Sequence, residues 1–109
     1  MTFNTCIFAY QIHIMNIKEL HSPEKAVSAV SLFKTEFGNA TALQILQGEK
    51  LKEHITKVPA LLICVKGEVV FENENAHKET LTPGDYINIE PMVKHWVEGI
   101  VDSQLVLIK

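Results

Sequence analysis

Residues 81–99, LTPGDYINIEPMVKHWVEG, decide the fold of this chain. Pro83-Gly84-Asp85 is turn chemistry: proline presets one backbone angle, glycine takes φ > 0 without steric cost, and the aspartate closes the turn on backbone amides. Tyr86–Ile89 is short and rich in β-branched and aromatic residues, as a strand requires. Pro91 interrupts it, and the strand His95–Val101 follows. Side chains alternate between faces along a strand. His95 and Val97 therefore share one face, while Lys94, Trp96 and Glu98 share the other.

The same grammar extends in both directions. Strands are expected at Val30–Phe37, Ala40–Leu46, Leu51–Thr56, Ala60–Val65, Val69–Glu72, His77–Leu81 and Gln104–Ile108, separated by Gly38-Asn39, Gly48, Pro59, Lys66-Gly67, Asn73–Asn75 and Asp102-Ser103. Many short strands at this spacing make a sandwich or a barrel. Alternation puts Lys52, His54 and Thr56 on one face of their strand and Leu51, Glu53 and Ile55 on the other, with Leu51 and Ile55 expected outside. Ser22-Pro23-Glu24 has the residues of a helix start, so a short N-terminal helix or turn is expected. KAVSAV behind it supports one or two turns at most, or runs directly into the first strand.

Bulk properties narrow the function. With 109 residues, the chain suffices for one hydrophobic core. A net charge of -3 argues against nucleic acid, which calls for a basic face. Basic residues are scattered singly, and no apolar run approaches the roughly 18 residues of a membrane span. The two cysteines, Cys6 and Cys64, are too few for a secreted disulfide scaffold and are expected as reduced thiols in the cytoplasm. Residues 1–14, MTFNTCIFAYQIHI, lack the positive region and cleavage site of a signal peptide. They are expected to be an extension or an edge strand ahead of a single domain at 15–109.

The second half of the chain, roughly residues 40–109, resembles the cupin family. The first cupin motif, G-x5-H-x-H-x3-E-x6-G, fits Gly48, His54 and Gly67 with spacing intact. Thr56 stands at the second histidine and Ala60 at the glutamate. The second motif, G-x5-P-x-G-x2-H-x3-N, fits Gly84 and His95, while Glu90, Met92 and Gly99 stand at its proline, glycine and asparagine. The resemblance implies an all-β, double-stranded β-helix or jelly-roll barrel, with the motif positions facing one interior point.

In cupins, three histidines and a glutamate at these positions hold a metal. Here His54 and His95 remain. Threonine is a poor ligand, alanine is none, and catalytic metal sites commonly use three protein ligands. The resemblance thus points to a small-molecule binding domain without a resident metal, its pocket lined by His54, Thr56, His95, Ala60 and Met92. The alternative is a metal-dependent enzyme of dioxygenase or sugar-isomerase type, with His54 and His95 ligating a divalent transition metal. Asp85 is expected only to close its turn, and Glu90 to stand at the barrel mouth. Cys64 reads as inert core, and His13, His21 and His77 as surface residues without a role. A homodimer is expected through the outer face, including Trp96 or the N-terminal strands, because interfaces favour tryptophan.

Overall fold

The structure is a computed structural model, described over residues 13–109. The expected extension at 1–14 falls almost wholly outside the described residues. Nine strands follow one 3-10 turn at Ile17–Leu20: β1 (Val27–Lys34), β2 (Asn39–Ile45), β3 (Lys50–His54), β4 (Ala60–Lys66), β5 (Val69–Asn73), β6 (Lys78–Leu81), β7 (Tyr86–Ile89), β8 (His95–Gly99) and β9 (Ser103–Ile108). They form two sheets, one ordered β1-β2-β9-β4-β7 and the other β3-β8-β5-β6, with antiparallel pairing throughout. No helix among the described residues is long and apolar enough to cross a membrane.

The two sheets face each other over one core. Alternation is cleanest in β8, where His95, Val97 and Gly99 are buried and Trp96 and Glu98 are half-buried. Leu43, Ile45, Leu62, Cys64 and Leu105 come from the five-stranded sheet, and Val69, Phe71, Leu81 and Val97 from the other. The Cys64 thiol is free and buried, and burial raises its pKa. Trp96 stands on the outer face, where its indole N–H donates to Glu72 across the β5–β8 pair at 2.8 Å.

Tight turns hold these strands in place. The Asp85 carboxylate accepts from the Thr82 amide and hydroxyl, both at 2.9 Å, and these bonds lower its pKa. Gly67 has φ +93, and a Cβ there would lie 2.6 Å from the Asp102 carbonyl. Gly99 stands where cupins have asparagine; a Cβ would meet the Leu46 carbonyl at 2.6 Å, so close passage of the β2–β3 connection excludes a side chain.

The expected N-terminal helix or turn is present as the 3-10 turn, capped by Asn16, which accepts from the Lys18 amide at 3.0 Å. Ser22-Pro23-Glu24 itself forms a turn behind it, closed by the Lys25 amide on the Ser22 carbonyl at 3.1 Å. The Ser22 and Lys25 carbonyls also accept from the Gln44 amide group, at 2.9 and 3.1 Å, which fastens this segment to β2. Two expectations are corrected. Leu51 packs against the core, not outside, because the β3–β8 register slips: Leu51 pairs with Val97 and His54 with His95, three residues against two. One extra residue reverses the alternation. A similar slip leaves Leu32 unpaired in β1. His21 is buried, 6% exposed, with Nδ1 2.7 Å from the Ser28 hydroxyl. Burial, then the charge of Lys25, lowers its pKa.

Candidate functional site

The inner face of the four-stranded sheet changes character along its strands. Gly99, Val69 and Leu81 form one cross-strand row, and Leu51, Val97, Phe71 and Glu79 the next. The third row is polar: His54 pairs with His95, His95 with Asn73, and the Asn73 amide donates to the His77 carbonyl at 3.1 Å. Apolar side chains thus give way to three imidazoles and an amide at one level of the barrel.

That level opens into a cavity of about 550 Å³ between the sheets. Phe71, Asn73, His77, Glu79 and His95 form one wall, while Pro59, Ile87 and Ile89 face them from the other sheet and Glu90, Pro91 and Val93 stand at the rim. An apolar concavity with a few convergent polar groups is the usual form of a small-molecule site.

Hydrogen bonding fixes what these groups offer. His95 is 5% exposed and stacks on Phe71 with ring centroids 5.7 Å apart. Its Nδ1 lies 3.2 Å from the Val93 carbonyl, which only accepts. Nδ1 is therefore the donor, and in the neutral ring Nε2 is an acceptor. Burial lowers the His95 pKa, the Val93 bond opposes this, and the charges of His54 and Lys109 add to the lowering, so the neutral ring prevails near pH 7. Asn73 is engaged through both its oxygen and its nitrogen. Its Oδ1 accepts from the amides of Asn75 and His77 at 2.9 and 3.2 Å, and its Nδ2 lies 3.2 Å from His77 Nδ1. His77 Nδ1 is thus an acceptor, which leaves Nε2–H as its donor.

The residues singled out from the sequence separate in space. His95 lines the cavity. His54 faces it across the strand pair, with ring centroids 6.3 Å apart and planes tilted by 32°, but it is exposed and its Nδ1 bonds the Lys52 carbonyl. Thr56 is buried with no partner for its hydroxyl, and its carbonyl accepts from the Met92 amide at 2.8 Å. Ala60 belongs to the core, paired with Ile89. Met92 is exposed and has φ +65, the left-handed conformation that the cupin motif assigns to glycine. Glu90 is at the mouth. His77 is exposed, and in contrast to the absence of any role expected for it, it lines the cavity with Glu79. Their inward placement follows from the β5–β6 register, which a single strand read alone does not disclose.

The motif positions carry too few donors for a metal. Thr56 and Ala60 supply no ligand, His54 Nδ1 is held by its own strand, and no group of three or more His, Cys, Asp or Glu among the described residues is arranged to hold an ion. These residues do not fit a resident metal at the motif positions.

Solved structures give the fold its family resemblance. A cupin superfamily protein from Desulfitobacterium hafniense superposes with a TM-score of 0.76 at 18% identity, covering 85% of this chain and 84% of its own. An RmlC-like cupin family protein with a double-stranded β-helix fold, from Methanocaldococcus jannaschii, gives 0.70 at 18% identity over 82% and 84%. A cupin 2 conserved barrel domain protein from Leptotrichia buccalis gives 0.76 at 16% identity, covering 86% of this chain and 45% of that longer one. No protein-family model and no curated relative matches the sequence. The chain has the cupin double-stranded β-helix fold, and at these identities the likeness establishes the fold alone.

Proposed function

We propose that this barrel is a binding module that holds a small molecule in its mouth, against His95, His77 and Phe71. The observation that carries this reading is the polar edge formed by His95, Asn73, His77 and Glu79 beside Phe71, facing Ile87 and Ile89 of the other sheet across a cavity of about 550 Å³. Two histidines, an amide and a glutamate at the end of a β-sandwich are not needed to close its core. They are groups that position a ligand.

A thermal-shift screen of the full chain against a library of small polar-apolar molecules tests this. A ligand present at one hundred times its Kd adds about 2.7 kcal/mol of stability. Nitrogen-15 NMR should then place the contacts at Phe71, Ile87 and His95. Ile87→Trp, which fills the mouth from a half-buried position, should abolish binding while unfolding stays cooperative. Hits that map elsewhere, or bind equally well to Ile87→Trp, overturn the reading.

A further inference from the structure

The mouth has a consistent chemical sign. Glu79 stands on β6 in one wall and Glu90 just beyond β7 in the other, so carboxylates flank the opening from both sheets. Neither has an ion-pair partner among the described residues, whose two ion pairs are Lys78 with Glu72 and Lys94 with Glu53. No lysine or arginine lines the cavity. Lys78 and Lys94, next in sequence to lining residues, are the lysines paired with Glu72 and Glu53, and Lys109, whose charge reaches His95, lines a separate groove with Lys34 and Lys57.

The buried neutral group agrees with the charged ones. His95, nine-tenths buried, lines the cavity, and its Nε2, which has no partner among the described residues, accepts in the neutral ring. The Asn73 Oδ1 and one N–H of its amide are spent within the hairpin. The donors that remain are neutral: the Nε2–H of His77, the second N–H of Asn73 and the amide of Asn88. Both charged groups are acceptors, and the buried imidazole nitrogen adds a third.

We propose that the mouth is selective for cationic, donor-rich ligands: a small molecule with an amine, amidine or guanidine head between Glu79, Glu90 and His95 Nε2, and an apolar or aromatic body against Phe71, Ile87 and Ile89. Anionic ligands such as carboxylates and phosphates are rejected, because the two carboxylates repel them. This rests on the binding-module reading and gives it a substrate class.

Benzylamine, benzyl alcohol and benzoate share one ring and differ in head group, so they separate the class from the site. Titrated into the full chain at pH 7.5 and followed by nitrogen-15 NMR, benzylamine should bind about tenfold tighter than the alcohol, a difference that one well-placed charge supplies. Benzoate should bind weakest. Glu79→Gln combined with Glu90→Gln, both at exposed positions, should bring the amine down to the level of the alcohol. Alcohol binding in the mouth with no preference for the amine overturns the inference and leaves the binding module standing. A preference that survives the double substitution also overturns it, since the selectivity then lies elsewhere. Failure of all three probes to perturb the mouth overturns the binding-module reading and this inference with it.

Discussion

The closed end of the barrel and its mouth are made from the same strands. Val69 leads through Phe71 to Asn73 on β5, Leu81 leads to Glu79 on β6, and Gly99 leads through Val97 to His95 on β8. At the closed end Ile45, Leu62, Val69 and Leu105 are essentially inaccessible, and two sheets of apolar side chains exclude water. Four residues further along β5 and β8, and two along β6, the same inner face is polar and opens to a cavity. A single register thus sets two environments, one stabilising the fold and the other available for chemistry. Substitutions at the two ends should have effects of different kinds.

The largest effect belongs to the closed end. Leu62→Ala removes a side chain buried to 2% exposure and should cost about 2–5 kcal/mol in urea unfolding, whereas Glu79→Ala in the mouth should cost less than about 0.5 kcal/mol. Equal losses would break the comparison. Next comes Thr56, whose buried hydroxyl has no partner. Thr56→Val removes that desolvated group and should raise stability by about 1 kcal/mol, measured in the same way. Destabilisation would mean that the hydroxyl is satisfied by bound water. Met92→Gly relieves a left-handed backbone at an exposed position. The relief of about 1–2 kcal/mol exceeds the entropy cost of glycine, for a net gain of about 0.5–1 kcal/mol.

The smallest effect is a pH dependence. The pKa values of His95 and His21 are both lowered from 6.5 in the fold, so the native state favours their neutral forms. Their contribution is complete above pH 6.5 and is lost as pH falls through the lowered values. The melting temperature should therefore drop between pH 8 and pH 5, and His95→Phe should flatten part of that drop. Asp85, lowered from 3.8, acts only in a more acidic window. A flat profile above pH 5 would show that both rings protonate in the fold as freely as in the unfolded chain.

Much of the architecture was legible in the sequence. Tyr86–Ile89 begins and ends where its proline and glycine neighbours require, and the other strands fall within a few residues of their turn signals. His54 and His95, placed at one level by motif spacing, are direct cross-strand partners. What escaped reading depends on pairing. The slip in β3 turns Leu51 inward, which no pattern of alternation in that strand announces. His77 and Glu79 become part of the mouth only through the β5–β6 hairpin, which sets them beside Asn73 and Phe71. Thr56 and Ala60 lie at motif positions yet away from the cavity, because one is enclosed by the β3–β4 connection and the other by the core.

Two of the three register slips also bear on how the molecule behaves in a crowd. The third lies inside the β4–β9 pair, but these two fall on strands that border a sheet among the described residues, β1 in one and β3 in the other, and the opposite borders, β6 and β7, are only four residues long. A long, regular border offers rows of free amides and carbonyls on which another chain can template a strand, the first step towards fibrils. A kinked or short border spoils that template. The irregularity that turns Leu51 inward therefore also protects the chain against aggregation, at the borders where an open barrel is most vulnerable.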